Sequence, residues 1–316
     1  MFFKYINPGY VSLLDSDGQA TATQITDSSQ SKTGIAFKQT SSTAGVTLSN
    51  FAEGDEFWAR FDVFIPNNTG GYFACYAPKC VSTGFSFAFP SSSNVNYYIN
   101  AIRRNSNYSL TYGTENDLGI NKNGVNIFVF HLTYSSGSGD YGVIEVSVNG
   151  DTYTSTSGNS VSYTSNESNK AKLYTTNAGV YFSNVIFSNA EISSKEQAVA
   201  LPISGTETDM TLGENGIYVA DAADQTILQS VDVTDLITNY GAGSKVTGIS
   251  VVGNPAYKTA TGLAKLTGIS KSGNTVTTHG TVKLSSDTSA FVMDSWSLSD
   301  TTITDLQNMK FGWKVS

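Results

Sequence analysis

The side chains able to do acid–base chemistry are few. Asp55-Glu56 with Asp62, Glu115 with Asp117, and Glu145 are the acidic candidates. Hydrolysis of a glycosidic bond needs two carboxyl groups flanking it, about 5 to 9 Å apart. A strand can supply them as Glu-x-Asp-x-Glu, because alternation brings all three acids to one face. The chain contains no such run. Glu115-Asn116-Asp117 leads into Leu118 and Gly119, so a third acid is missing and the segment reads as a polar loop at a hairpin end. A Ser–His–Asp site would have to use His131 or His279. His131 stands in an apolar strand with Ile127 and Val129 and reads as a packed or edge histidine. His279, in Thr277-Thr278-His279-Gly280, falls near a strand end and reads as solvated. Neither has a Gly-x-Ser-x-Gly neighbourhood. These residues point away from catalysis, and the expectation is a protein that is not an enzyme.

Aromatic residues offer a second chemistry, since a flat ring can stack on the face of a sugar. Trp58, Tyr97, Tyr98, Tyr108 and Tyr112 are the candidate ligand-binding residues, with Asn96, Asn100 and Asn105 near enough to bond hydroxyl groups. Tyr97 and Tyr98 are adjacent in a strand and so face opposite ways. Metal and phosphate chemistry find less support. Asp15-Ser16-Asp17-Gly18 begins like a calcium loop but lacks the next odd-position ligand and the distant Glu, so a turn is read there. Cys75 and Cys80, in CYAPKC, form either a short disulfide loop or two thiols. With His131 and His279 as the remaining soft ligands, a four-ligand zinc site is not expected. Gly241-Ala242-Gly243-Ser244-Lys245 lacks the spacer of a phosphate loop and opens no helix.

Composition narrows the partners. The 316 residues carry a net charge of −8, and Arg103-Arg104 is the one adjacent basic pair, which argues against nucleic acid. Charged residues make up only 14% and aromatics 12%, with Ser, Thr, Asn and Gly supplying the polar surface, as suits a turn-rich all-β protein. No apolar run is long enough to span a membrane. The start, MFFKYINPGYVSLLD, does not read as a signal peptide, because Lys4, Asn7, Pro8 and Gly9 break its apolar stretch.

The elements that must position these residues are strands. In 56–65, Phe57, Ala59, Phe61, Val63 and Ile65 share one face, with Trp58, Arg60 and Asp62 on the other, the pattern of a half-buried strand. Further strands are read at 34–38, 45–48, 85–89, 95–103 and 108–112, then over Phe128–Tyr134 and Ile144–Val148. Asn149-Gly150 between apolar runs predicts a tight hairpin, since both central residues must take positive φ. Val185-Ile186-Phe187 predicts a strand covered on both faces. Ser193 with Glu196 predicts a short capped helix ending at Pro202, and 202–210 reads as a linker. Beyond it, strands are read at 216–220, 225–231, 245–252, 263–270, 275–284, 290–298 and 310–315, with helical turns at 234–240 and 302–309.

The segment 126–193, from NIFVFHLTY through the Asn149-Gly150 hairpin to FSNVIFSNAEIS, resembles the back half of a concanavalin A-like (laminin G-like) jelly roll. Trp296-Ser297, the helix from Ile303 and Phe311-Gly312-Trp313-Lys314 resemble the closing segment of bacteriophage and prophage tail proteins, in which such jelly rolls also occur. The resemblance implies an all-β chain, with an N-terminal concanavalin A-like jelly roll over 1–203 and a small C-terminal β-sandwich over 204–316. It implies a tail-associated structural protein of the virion, made in the bacterial cytoplasm, whose jelly roll binds a host-surface glycan. Other tail proteins are its implied partners, and homo-oligomerisation is a further expectation. No cofactor is expected, although jelly rolls of this kind often hold structural calcium in their loops. Two alternatives stand beside this reading: a secreted or surface carbohydrate-binding adhesin or lectin module, and a glycoside hydrolase or lyase on the same fold.

Overall fold

The computed structural model describes residues 3–48, 51–66, 70–91, 95–104, 106–135, 142–155, 161–177, 179–213, 216–256, 263, 265–284 and 290–316. The fold is all-β, built of antiparallel sheets, and the chain forms two compact units, Ile6–Val199 and Ala200–Ser316, with most of the first strand (Phe3–Tyr5) grouped with the second.

The chain opens with β1 (Phe3–Asn7), and the first unit goes on through α1 (Ser16–Gln19), β2 (Ala22–Ile25), β3 (Ala36–Gln39), β4 (Val46–Thr47), β5 (Phe57–Ile65), β6 (Gly71–Tyr76) and β7 (Gly84–Phe89). It continues with β8 (Tyr97–Arg103), β9 (Ser106–Gly113), β10 (Gly124–Thr133), β11 (Val143–Val148), β12 (Asp151–Ser155), β13 (Lys170–Thr175) and β14 (Tyr181–Ser188). One sheet runs β12-β11-β10-β5-β14-β3-β2, with β1 also paired to β14; the other runs β4-β13-β6-β7-β8-β9. Alternation turns a row of phenylalanines inward from each. Phe73 meets Phe128 at 5.0 Å between ring centroids, Phe85 meets Phe130 at 5.2 Å and Phe87 meets Phe128 at 5.2 Å. All five are fully buried. Each such side chain contributes about 1.5–3 kcal/mol through lost apolar hydration, so this seam fixes the two sheets face to face.

The Asn149-Gly150 hairpin forms as expected, with φ of +51° and +111° and Val148 paired to Asp151. Two strands that the sequence pattern did not single out, β6 and β13, lie side by side in the second sheet. The outer face of β5 also departs from expectation, since Arg60 and Asp62 are 1% and 0% exposed. The segment after β14 covers them. Arg60 pairs with Asp62 at 2.7 Å and donates to the carbonyl oxygens of Asn184 (3.2 Å) and Ser194 (3.4 Å). Asn184 sits at a β-bulge in the left-handed region, φ +52°, donates to Asp62 and accepts the Ala198 N–H. These bonds tie 189–198 down without a helix, so the helix expected from Ser193 does not form; Ser193 closes a single turn instead.

The second unit holds β15 (Ile203–Thr208), β16 (Thr211–Leu212), β17 (Tyr218–Val219), β18 (Thr226–Val231), α2 (Thr234–Tyr240), β19 (Lys245–Ala256), β20 (Lys265–Ser272), β21 (Thr275–Lys283), β22 (Ala290–Thr302) and β23 (Met309–Val315). A five-stranded sheet, β15-β18-β23-β20-β21, packs with the β19–β22 ribbon around Trp296, Phe311, Trp313, Ile249 and Val251. Residues 202–210, read as a linker, instead supply β15, which pairs with β18. At 302–309 the helical turn is a short 3-10 helix, Thr304–Asn308, and Thr302 and Asp305 exchange capping bonds.

Candidate functional site

The outer face of the six-stranded sheet gathers tyrosines. Tyr72 and Tyr76 on β6 and Tyr174 on β13 stand on one side, and Tyr98 on β8 and Tyr112 on β9 on the other. Between them, the outward residues of β7 are Gly84, Ser86 and Ala88. These small residues leave room for rings to lie down on the sheet: Tyr76 and Tyr174 cover Ala74 and Ile102, and Ala74 is fully buried. Tyr76 stacks parallel on Tyr174 (6.1 Å, 5°), while Tyr72 meets Tyr174 edge-on (6.1 Å, 75°). Tyr98 and Tyr112 lie nearly parallel, 5.9 Å apart. Tyr72 is 37% exposed and Tyr112 64%. The Tyr72 and Tyr174 hydroxyls are 3.4 Å apart. Burial first, then the bond with Tyr72, pushes the Tyr174 phenol far above its ordinary value, so it stays a hydrogen-bond donor at any physiological pH. The arrangement presents flat ring faces with hydroxyl donors at their edges, which suits stacking against the apolar face of a polar ring.

Of the residues singled out in the sequence, Tyr98 and Tyr112 fall on this face together with Asn100. Tyr97 does not. It is 2% exposed and packs on Phe87 at 5.6 Å, because strand alternation points it into the core. Tyr108 is turned away by an irregularity in the β8–β9 pairing, where Ile99 faces Thr111 but Asn100 faces Ser109. The extra residue puts Tyr108 opposite Ala101, on the face away from Tyr112. Asn105 lies outside the described residues. Tyr72, Tyr76 and Tyr174 were missed. Their signal was the alternation Tyr72, Ala74, Tyr76 against Phe73 and Cys75.

Trp58 belongs to a different cluster, on the outer face of the other sheet. Its ring stacks on His131 at 3.8 Å and 12°, since the two residues are cross-strand partners. His131 Nδ1 is 2.7 Å from Glu145 Oε2, and its Nε2 is 3.0 Å from Glu56 Oε2, which also accepts from the Trp58 ring N–H at 3.2 Å. Thr154 donates to Glu145. Glu56, Glu145 and His131, remote in sequence, thus share one hydrogen-bonded network, with both ring nitrogens occupied. Among the described residues no group of three or more His, Cys, Asp or Glu is arranged to hold a metal. Asp15 and Asp17 converge on Lys170, at 3.5 and 2.7 Å. Cys75 and Cys80 are free, buried thiols; burial pushes Cys80 up to about 12 and Cys75 higher still, so neither is a nucleophile.

In the second unit His279 is half-buried rather than fully solvated as its position near a strand end suggested. A bulge in β20–β21 lays its ring on Trp296 at 3.9 Å and 5°, and its Nε2 is 2.9 Å from Ser270 Oγ. Burial lowers the His279 pKa. The carboxylate of Asp294 accepts the N–H of Gly280 (2.8 Å) and of Ser295 (3.0 Å) over Gly268 and Gly280, where a Cβ would collide with it.

No family model and no curated protein matches the chain. Among solved structures, it has a likeness to an alginate lyase from a Chlorella virus (TM-score 0.31, 11% identity, over 52% of this chain and 83% of that one). A second is a mutant of the alginate lyase Aly36B in complex with an alginate trisaccharide (0.35, 13%, over 59% and 95%). A third is the CBM2 module of the evolved Dit of Lactobacillus casei BL23 phage J-1 (0.30, 13%, over 50% and 71%). TM-scores of this size assign neither a function nor a fold family. Two of these neighbours are alginate lyases, and the expectation of a non-enzyme is withdrawn: the missing Glu-x-Asp-x-Glu strand does not exclude an enzyme. That absence speaks only to hydrolysis by a carboxylate pair.

Proposed function

We propose that the first unit is a carbohydrate-binding jelly roll that docks sugar rings on the outer tyrosine face of its six-stranded sheet. One observation carries the reading: Tyr72, Tyr98 and Tyr112 offer ring surface to solvent across a floor of small residues. The likeness of Trp296-Ser297 and Phe311-Gly312-Trp313-Lys314 to the closing segments of phage tail proteins supports placing that face on a tail, turned towards a host-surface glycan. A glycan array probed with the whole chain and with Tyr112→Ala and Trp58→Ala tests it. Tyr112→Ala is expected to weaken binding by about tenfold, the worth of one well-placed aromatic contact. Trp58→Ala, altered on the other sheet, is expected to bind as the parent does. Binding that follows Trp58 and ignores Tyr112 would sink the reading. New chain ends released from a bound polysaccharide, and lost in Glu145→Gln, would instead move it to a polysaccharide-cleaving enzyme centred on His131.

A further inference from the structure

The outward strand positions of the tyrosine face carry lysines and no acid. Its outward positions are 47 on β4, 170, 172 and 174 on β13, 72, 74 and 76 on β6, and 84, 86 and 88 on β7, then 98, 100 and 102 on β8 and 107, 109 and 112 on β9. None of these is Asp or Glu. Lys170 is more than offset by two carboxylates, Asp15 and Asp17. Lys172 is not. It stands directly opposite Tyr76, half-buried, with no ion pair among the described residues. Gly45 makes room for its stem, since a Cβ there would come within 3.0 Å of the Lys172 Cγ. At the same end of the sheet, just past the Arg103–Ser106 pair, Arg104 forms the β8–β9 turn in the left-handed region, φ +50°, exposed and also without an acidic partner among the described residues. Three strand spacings, about 14 Å, separate β13 from β8.

Resting on the carbohydrate reading above, we infer that the face takes an acidic polysaccharide, with ring faces on Tyr72, Tyr98 and Tyr112 and sugar carboxylates against Lys172 and Arg104. A chain of net charge −8 repels an anionic polymer at long range. The tyrosine face is a place where that repulsion is reversed, so the charges set which face the polymer meets while the rings supply contact area. A neutral glycan would gain nothing from two cations, unpaired among the described residues, held at the edge of its platform.

The test is a titration of the whole chain with polygalacturonate and with its methyl ester, which share a backbone and differ in charge. The acid form is expected to bind more tightly. Lys172→Gln and Arg104→Gln should each lower its affinity about two- to fivefold, as for partly exposed ion pairs, and leave the ester unaffected. Raising salt to about 0.5 M should remove the preference. Equal affinity for both forms, still abolished by Tyr112→Ala, overturns the acidic ligand and leaves the carbohydrate reading standing. Binding to either form that ignores Tyr112→Ala, or no binding to these polymers or to any glycan on the array, overturns both.

Discussion

At the scale of single residues, the largest electrostatic commitment in the first unit is the Arg60–Asp62 pair. Both are almost wholly buried, and burial pulls the guanidinium pKa down and the carboxyl pKa up, each opposed by the partner's charge. Removing one member leaves the other charged and desolvated, which costs about 3–5 kcal/mol. Arg60→Met is therefore expected to lower the urea midpoint of the first unit sharply, and Arg60→Met with Asp62→Leu to recover most of the loss. A single variant as stable as the double would show that the pair is solvated in solution. Burial of this pair was not legible in the sequence, because alternation assigns a residue to a face without saying what covers that face. The same limit applies to Tyr108. Spacing by four residues put it on one face with Tyr112, and a bulge that no residue type announces turned it over. Tyr97 and Tyr98 were sorted by alternation alone in the opposite senses observed, one into the core and one outward.

At the scale of elements, the segment 189–198 acts as a clasp over the outer face of β5, and it carries a titrating group. Burial raises the carboxyl of Glu196 from 4.5 to about 7, with Arg60 pulling the other way. Between those values the folded protein holds a proton that the unfolded chain has given up. Stability from this group is thus full below pH 4.5 and is lost as the pH rises through about 7. Urea midpoints of the first unit measured across that window are expected to fall with rising pH, and Glu196→Gln should flatten the slope. An unchanged slope in Glu196→Gln would assign the dependence elsewhere. Ser193 and Glu196 read as a helix start because capping residues are local signals; the competing bonds from Arg60 and Asn184 come from more than a hundred residues away or across a bulge. Where the signal was local and sufficient, it held. Asn149-Gly150 closed its hairpin, and Thr234–Tyr240 formed its helix.

At the scale of the whole molecule, each unit has its own core. The phenylalanine seam draws on residues between 57 and 187, and the second core on Val233 through Trp313 with Leu201 packed against it. Gly312 shows how tightly the second is drawn. It lies between Leu228 and Ile269 in the register, and a Cβ there would collide with the carbonyl oxygen of Ile227. Gly312→Ala must push β23 away from β18, at an overpacking cost of about 1–3 kcal/mol. Tyr72, Tyr98, Tyr112, Lys172 and Arg104 all belong to the first unit, and β23 belongs to the second. Calorimetry of Gly312→Ala is therefore expected to lower one thermal component and leave the other in place, with glycan affinity unchanged at temperatures below both. Phe73→Ala, which opens the first seam at a cost of about 3–5 kcal/mol, should do the reverse and abolish binding. If Gly312→Ala weakened glycan binding as much as Phe73→Ala, the two units would be one cooperative body and the binding face would depend on both.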